Sequence, residues 1–181
     1  MEYTNRTLEE QREEFIKRNF LATPIAGLIV WLIIGLSGLF LTVRTTVWVL
    51  FIGTGSIAYL AIFISNFTGE RFIDKNKPKN VFDRLFLFTV LQSVFIYSIA
   101  IPFFILDYSS LPLTVGILTG TMWIPFSWII KHWVGIFHAV LRTVAIVLLW
   151  YTLPEYKFVA IPFAIVLIYL ITMFILKRRK I

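Results

Sequence analysis

The run FVAIPFAIVLIYLITMFIL, residues 158–176, carries no formal charge and is followed directly by the basic tail KRRK. About 20 apolar residues are enough for a helix to cross a hydrocarbon core of ~30 Å. The sequence contains six such runs, at 24–43, 46–65, 85–106, 111–130, 133–153 and 158–176. Membrane β-strands would instead alternate over ~10 residues. The pattern therefore predicts an all-α, polytopic membrane protein built as a bundle of six transmembrane helices.

The overall composition supports a lipid environment. Of the 181 residues, 59% are hydrophobic and 15% are charged, against about 45–50% and about 25% in an ordinary soluble domain. One soluble core of this size could not cover so much apolar surface. The chain has no cysteine, which excludes disulfides and thiolate chemistry. Its net charge of +7 comes from basic residues at the ends of apolar runs, which favours anionic lipid headgroups over nucleic acid as the partner.

The distribution of basic residues predicts the orientation. They cluster before span one, between spans two and three, between spans four and five, and after span six. These residues are Arg6, Arg12, Lys17, Arg18, Arg71, Lys75, Lys77, Lys79, Arg84, Lys131 and Lys177 to Lys180. The opposite connections contain only Arg44 and Lys157. By the positive-inside rule, both termini are expected in the cytoplasm.

Three regions follow from this topology. Residues 1–22 are expected to form a cytoplasmic amphipathic leader helix, residues 23–176 the transmembrane domain, and residues 177–181 a basic cytoplasmic tail. In the leader, Thr7 and Glu10 have the spacing of a capping box. Glu13 with Lys17, and Glu14 with Arg18, have the spacing of i,i+4 ion pairs. The leader is expected to lie on the membrane surface.

The fifth run is the exception, because it contains Arg142. A charge near the middle of a span costs about 2.5–3.5 kcal/mol on insertion scales, so it is a functional candidate. On a helix, Lys131, Gly135, His138 and Arg142 would share one stripe. No span contains a carboxylate to neutralise it. An uncompensated basic stripe suits an anion. The alternative is that Arg142 has a purely structural role, with its side chain reaching back toward the cytoplasm.

Neutral polar residues on span three are the expected opposite wall of this site. The predicted ligand-binding residues are Arg142, His138, Lys131, Gln92, Tyr97 and Ser93. Gly116 and Gly120 have GxxxG spacing, and with Gly135 they are expected to serve helix packing. Pro125 interrupts the fourth span and predicts a kink or a freed carbonyl there. No metal site, no cofactor and no catalytic residue is predicted, since no enzyme signature occurs.

Three stretches of the chain resemble one group of proteins. The charged leader around QREEF, the run AGLIVWLIIG at 26–35, and LPLTVGILTGTMWIPFSWI at 111–129 are similar to bacterial six-helix membrane proteins classed as a domain of unknown function. The resemblance implies a location in the plasma membrane. It carries no activity, since no functional residues are associated with that group.

Three functions remain open on the sequence. The first is a small transporter or binding protein for an anionic or amphipathic solute, which predicts a cytoplasm-facing, water-accessible cleft at Arg142. The second is a sensor or accessory subunit that engages lipid or a partner, which predicts Arg142 satisfied inside a closed bundle. The third is a membrane-embedded enzyme with His138 as base, which the missing nucleophile and metal set disfavour. Homo-oligomers are compatible with all three.

Overall fold

The computed structural model describes residues 6–72 and 78–179. Helix α1 spans Leu8–Ile16, α2 Ala22–Phe40, α3 Val43–Thr68, α4 Val81–Phe95, α5 Tyr97–Leu106, α6 Leu111–Gly120, α7 Trp123–Ile129, α8 Val134–Thr152 and α9 Lys157–Lys177. Short 3-10 turns occupy Tyr108–Ser110 and Pro154–Tyr156. No strand occurs in these two ranges. The expectation of an all-α protein is confirmed.

Five helical segments in the described ranges are long and apolar enough to cross a membrane. They are Ala22–Phe40, Val43–Thr68, Val81–Leu106, Val134–Thr152 and Pro154–Lys177. They correspond to five of the six predicted spans. The third begins earlier than expected, at Val81, where the Asn80 side chain accepts a hydrogen bond from the Phe82 amide and caps α4.

The predicted fourth span is not one continuous helix. It is divided into α6 and α7 by a turn at Thr121 and Met122. Pro125 has no N–H to donate to the Thr121 carbonyl, and that carbonyl accepts from the Ile124 amide instead, at 3.0 Å. Each half is too short to cross a bilayer alone. The count of six spans therefore stays a prediction.

Helices α2, α6, α8 and α9 pack around one another, with α3 against the outer side of α2. Small residues set the closest approaches. Gly27 on α2 lies against the ring of Tyr169, and Gly38 lies against the carbonyl of Phe158. A Cβ at either position would overlap these atoms, so glycine allows α2 and α9 to touch along their length.

The leader region packs on the protein. Thr7 and Glu10 form the capping box that their spacing predicts. The ring of Phe15 is 1% exposed and lies among the rings of Phe20 and Phe82. The predicted ion pair between Glu14 and Arg18 does not form, because α1 ends at Ile16 and Arg18 lies beyond the helix. Arg18 pairs with Asp83, and Glu14 pairs with Arg6.

Candidate functional site

Arg142 lies on α8 and is completely buried, with 0% of its surface exposed. Its Nε donates a hydrogen bond to the Gly116 carbonyl at 2.7 Å, and Nη2 donates to Thr119 Oγ1 at 2.7 Å. Nη1 donates to the Tyr169 hydroxyl at 3.3 Å. One side chain thus ties α8 to α6 and to α9.

The acceptors that Arg142 finds are all neutral, and two features of the fold compensate its charge. Thr119 lies in the last turn of α6 and Gly116 one turn earlier. The carboxyl end of a helix carries a partial negative charge, so the break after Gly120 places such an end beside the guanidinium. The guanidinium carbon also lies 5.2 Å from the centre of the Trp31 ring on α2, a cation–π distance.

His138 lies one turn before Arg142 and is equally buried. Its Nδ1 is 2.8 Å from Thr172 Oγ1 on α9, and that hydroxyl donates its own proton to the Ile168 carbonyl. The hydroxyl must then accept from His138, which assigns the proton to Nδ1. The imidazole stacks on Trp123 with ring centres 4.3 Å apart. His138 therefore joins α7, α8 and α9 through one hydrogen bond and one stacking contact.

The three glycines predicted to serve packing lie at close contacts in or beside this cluster. A Cβ on Gly116 would lie 2.9 Å from Ile146 Cδ1, and one on Gly120 would lie 3.0 Å from Arg142 Cδ. A Cβ on Gly135 would overlap the Trp123 carbonyl. Gly116 has a second role, because its carbonyl is an acceptor for Arg142. The GxxxG spacing predicts the close approach but not this hydrogen bond.

Lys131 is not part of the predicted stripe. Helix α8 begins at Val134, and Lys131 lies in the preceding turn with a left-handed φ of 50°. Its ammonium pairs with Glu9 at the protein surface. The stripe on α8 consists of Gly135, His138 and Arg142.

The predicted wall from span three is also placed elsewhere. The Tyr97 hydroxyl hydrogen-bonds Thr54 Oγ1 on α3 at 2.7 Å, and its ring packs near Phe51. Gln92 is exposed. The expected juxtaposition with Arg142 is wrong, because α6, α9 and α2 surround the guanidinium. Ser93 belongs to α4, and its side chain lies outside the described part of the structure.

The surroundings of Arg142 and His138 are closed. The nearby cavity lined by Trp123, Phe126 and Phe86 has a volume of only about 10 Å³, and neither Arg142 nor His138 lines it. That is about the space of one water molecule. The expectation of an open, water-accessible cleft at Arg142 is therefore wrong for this conformation.

Charged residues gather at one end of the molecule. Arg18 pairs with Asp83, Lys131 pairs with Glu9, and Arg12 donates to the carbonyls of Trp128 and Ile129. These contacts bring together α1, the start of α4 and the turn between α7 and α8. The hydrogen bond from Lys131 lowers the pKa of Glu9.

The C-terminal segment closes the same end. Arg179 Nη2 donates to the carbonyls of Ile16 and Arg18 at 2.6 Å and 3.0 Å. Burial lowers the pKa of His132, and the nearby Arg179 cation adds to that effect. The His132 Nδ1 accepts from the Val134 amide at 3.2 Å. This neutral imidazole therefore caps the start of α8.

Glu70 is a structural residue that the sequence reasoning missed. It is 3% exposed, and its Oε1 accepts from the amides of Leu21 and Ala22 at 2.8 Å each. These amides open helix α2, so the carboxylate neutralises the positive end of that helix. Gly69, with a left-handed φ of 78°, ends α3 and turns the chain toward this position. A Gly-Glu pair after an apolar run is the only sequence signal for it.

The described residues hold no group of three or more His, Asp or Glu side chains that could bind a metal ion. What the geometry defines is an all-helical protein with apolar helices long enough for a membrane and a closed polar cluster inside its helix packing. The chain belongs to a family of unknown function, DUF7010, whose model matches residues 8–179. No curated protein matches the chain, and no solved structure matches it either.

Proposed function

We propose that this DUF7010 protein is an integral protein of the plasma membrane that works without catalysis, as an accessory or sensor subunit engaging lipid or a partner protein. In this proposal the chain crosses the bilayer six times, α6 and α7 together forming one crossing, and both termini are cytoplasmic. The closed setting of Arg142 carries the functional part of the proposal.

The gathering of charges supports the proposed orientation. Arg12, Arg18, Lys131 and Arg179 lie at one end through the contacts described above. Lys157 lies at the start of α9, where its ammonium is near Ser109 and the Trp150 ring. A cation-rich end facing the cytoplasm satisfies the positive-inside rule.

The state of Arg142 favours an accessory role over transport and catalysis. A solute site needs a cavity with convergent polar groups. Here the guanidinium already donates hydrogen bonds to acceptors on α6 and α9. A general base at His138 would need access to a substrate, and His138 is 0% exposed. Both side chains therefore support the helix packing.

One surface available for interaction lies on α3. Large apolar residues recur there at helical spacing on one exposed stripe, Trp48, Ile52, Tyr59, Phe63 and Phe67. Gly55 lies within the same stripe. A Cβ added to Gly55 would have the Tyr97 hydroxyl as its nearest neighbour, at 3.9 Å. A small residue among aromatic ones leaves a groove in which a second transmembrane helix can pack closely.

Photo-crosslinking in cells tests the accessory role. A photoreactive amino acid replaces Tyr59 or Phe63 on the stripe, and Val144, an exposed residue of α8, is the matched control. We expect one and the same protein to be captured from both α3 positions and not from Val144. Adducts with only the protein itself, at all three positions, would refute the proposed role, and adducts with lipid alone would reject a partner protein as its target.

The discontinuous helix supports one second candidate, a transporter or binding protein for an anionic or amphipathic solute. Broken helices often line substrate sites in transporters, and α6 breaks beside Arg142. This function requires another conformation, in which the guanidinium leaves Thr119 and Tyr169. Thermal shifts with a panel of anions test it. If Arg142→Gln leaves those shifts unchanged, the candidate is excluded.

A further inference from the structure

A cleft opens between α3 and α5 at the end of the molecule opposite to the charge-rich end. It has a volume of about 510 Å³ and is lined by Val47, Trp48, Phe51 and Phe104, with Arg44 and Tyr108 at its mouth. This volume lies within the ~300–1,000 Å³ typical of small-molecule sites. Its walls are apolar and aromatic, and its mouth carries one cation.

The helix packing explains why the cleft exists. Helix α3 packs against α2, whereas α5 packs against α6 and the Tyr108–Ser110 turn. The two helices meet deeper in the molecule. There the rings of Phe51 and Phe104 make an edge-to-face contact at 5.4 Å, and Thr54 hydrogen-bonds Tyr97. These contacts form the floor of a slot whose sides remain apart.

Arg44 is available to a ligand at the mouth. It lies in the first turn of α3, its side chain is exposed, and the described residues offer it neither an ion pair nor a hydrogen bond. Lys157, the other basic residue expected at this end, already contacts Ser109 and Trp150. Of these two basic residues, Arg44 at the cleft is therefore the one whose charge is available to a ligand.

We propose that the cleft binds one anionic phospholipid, with an acyl chain along Val47, Phe51 and Phe104 and its phosphate at Arg44. Guanidinium is well suited to phosphate because it offers paired donors in one plane. An apolar slot ending in a cation matches a molecule with a long apolar tail and an anionic head. Trp48 and Tyr108 are amphipathic residues of the kind that stabilise headgroup contacts.

This inference goes beyond the proposed function. It rests on the chain lying in a bilayer and not on the accessory role, so the two fail separately. A lost lipid preference with intact capture at Tyr59 rejects the lipid site alone. Lost capture with an intact lipid preference rejects the accessory role alone.

The test compares thermal unfolding of the full-length protein in mild detergent with and without added lipid. The lipids are phosphatidylglycerol and phosphatidylcholine with identical acyl chains, and glycerol phosphate represents the headgroup alone. Arg44→Gln removes the charge, and Lys157→Gln is the matched control. Val43→Trp, at a half-exposed position on the cleft wall, places a bulky ring in the slot.

For the wild type and Lys157→Gln, we expect phosphatidylglycerol to raise the unfolding temperature more than phosphatidylcholine does. Arg44→Gln should bind the anionic lipid about fivefold more weakly, the effect of one basic residue near a lipid headgroup. Val43→Trp should lose the response to both lipids.

Equal responses to the two lipids, an unchanged preference in Arg44→Gln, or an unchanged lipid response in Val43→Trp would each overturn the proposal. A shift from glycerol phosphate alone that equals the lipid shift would also overturn it, because the acyl chain would then contribute nothing. Native mass spectrometry gives a second readout, in which Arg44→Gln should retain less anionic lipid than Lys157→Gln.

Discussion

Replacing Arg142 by lysine should destabilise the protein more than replacing it by methionine. Lysine keeps the charge, but one ammonium cannot reach acceptors on both α6 and α9 as the planar guanidinium does. Of the three hydrogen bonds that Arg142 makes, two would be lost. At about 1.5–3 kcal/mol for each charge-assisted bond, the loss is about 3–6 kcal/mol.

Methionine removes the bonds and the charge together. The cost of holding a cation at this depth, about 2.5–3.5 kcal/mol, disappears with the guanidinium. Thr119 keeps its hydrogen bond to the Val115 carbonyl. The Tyr169 hydroxyl is left without its donor, at a cost of about 1–3 kcal/mol. With no buried cation left to stabilise, the loss of the bonds costs only the unpaired acceptor, so the two contributions nearly cancel and Arg142→Met should lie within about 2 kcal/mol of the wild type.

Thermal unfolding in mild detergent, followed by tryptophan fluorescence, measures this order directly, since Trp31 lies against the guanidinium. At about 2–4 °C per kcal/mol for a chain of this size, Arg142→Lys should unfold on the order of 10 °C below the wild type. Arg44→Lys, at an exposed position, is the control and should have the same unfolding temperature as the wild type. If Arg142→Lys proves as stable as Arg142→Met, the guanidinium bonds do not hold the helices together and the account of the cluster is refuted.

Three further perturbations test separate parts of the structure. Gly120→Ala should lower the free energy of unfolding by about 1–3 kcal/mol, because its Cβ would lie 3.0 Å from Arg142 Cδ. In the same unfolding assay Gly55→Ala, at a more open position, should keep the wild-type stability. Equal losses of stability in the two variants would contradict this prediction. Glu70→Gln should lower the unfolding free energy by about 0.5–2 kcal/mol through loss of charge at the start of α2, and an unchanged stability would rule out that capping role. His132 has a lowered pKa, so the fold disfavours its protonated form; stability should be full above about pH 6.5 and decline as the pH falls below it, and a decline unaltered in a His132→Gln variant would contradict this.

The class of fold follows from the sequence because the apolar runs are long and nearly free of charge. Their length sets helix length, and the structure reproduces five of them as helical segments. The break between α6 and α7 follows in part, because Pro125 cannot complete the backbone bonding of its turn. The place of the break, at Thr121 and Met122, depends on which donor the freed carbonyl finds. That donor depends on the folded backbone and not on a local sequence pattern.

The site was predictable only in its central residues. Arg142 and His138 stand out because a polar group in an apolar run must find partners. Which partners they find depends on helix order around the bundle, and the sequence does not encode that order in any local pattern. The sequence predicts Tyr97 opposite Arg142, whereas in the structure its hydroxyl bonds to Thr54 on α3. Gly116 was recognised for its small size, whereas its carbonyl acts as an acceptor.

The central claim is that the chain spans a membrane an even number of times, with its charge-rich end inside. The absence of native cysteine allows single-cysteine variants to be labelled in intact expressing cells with a membrane-impermeant maleimide. We expect Arg44→Cys and Lys157→Cys to be labelled from outside, and Glu13→Cys and Arg178→Cys to be labelled only after permeabilisation. Labelling of either Glu13→Cys or Arg178→Cys in intact cells would contradict it, and labelling of just one of the two would show that α6 and α7 do not complete a crossing.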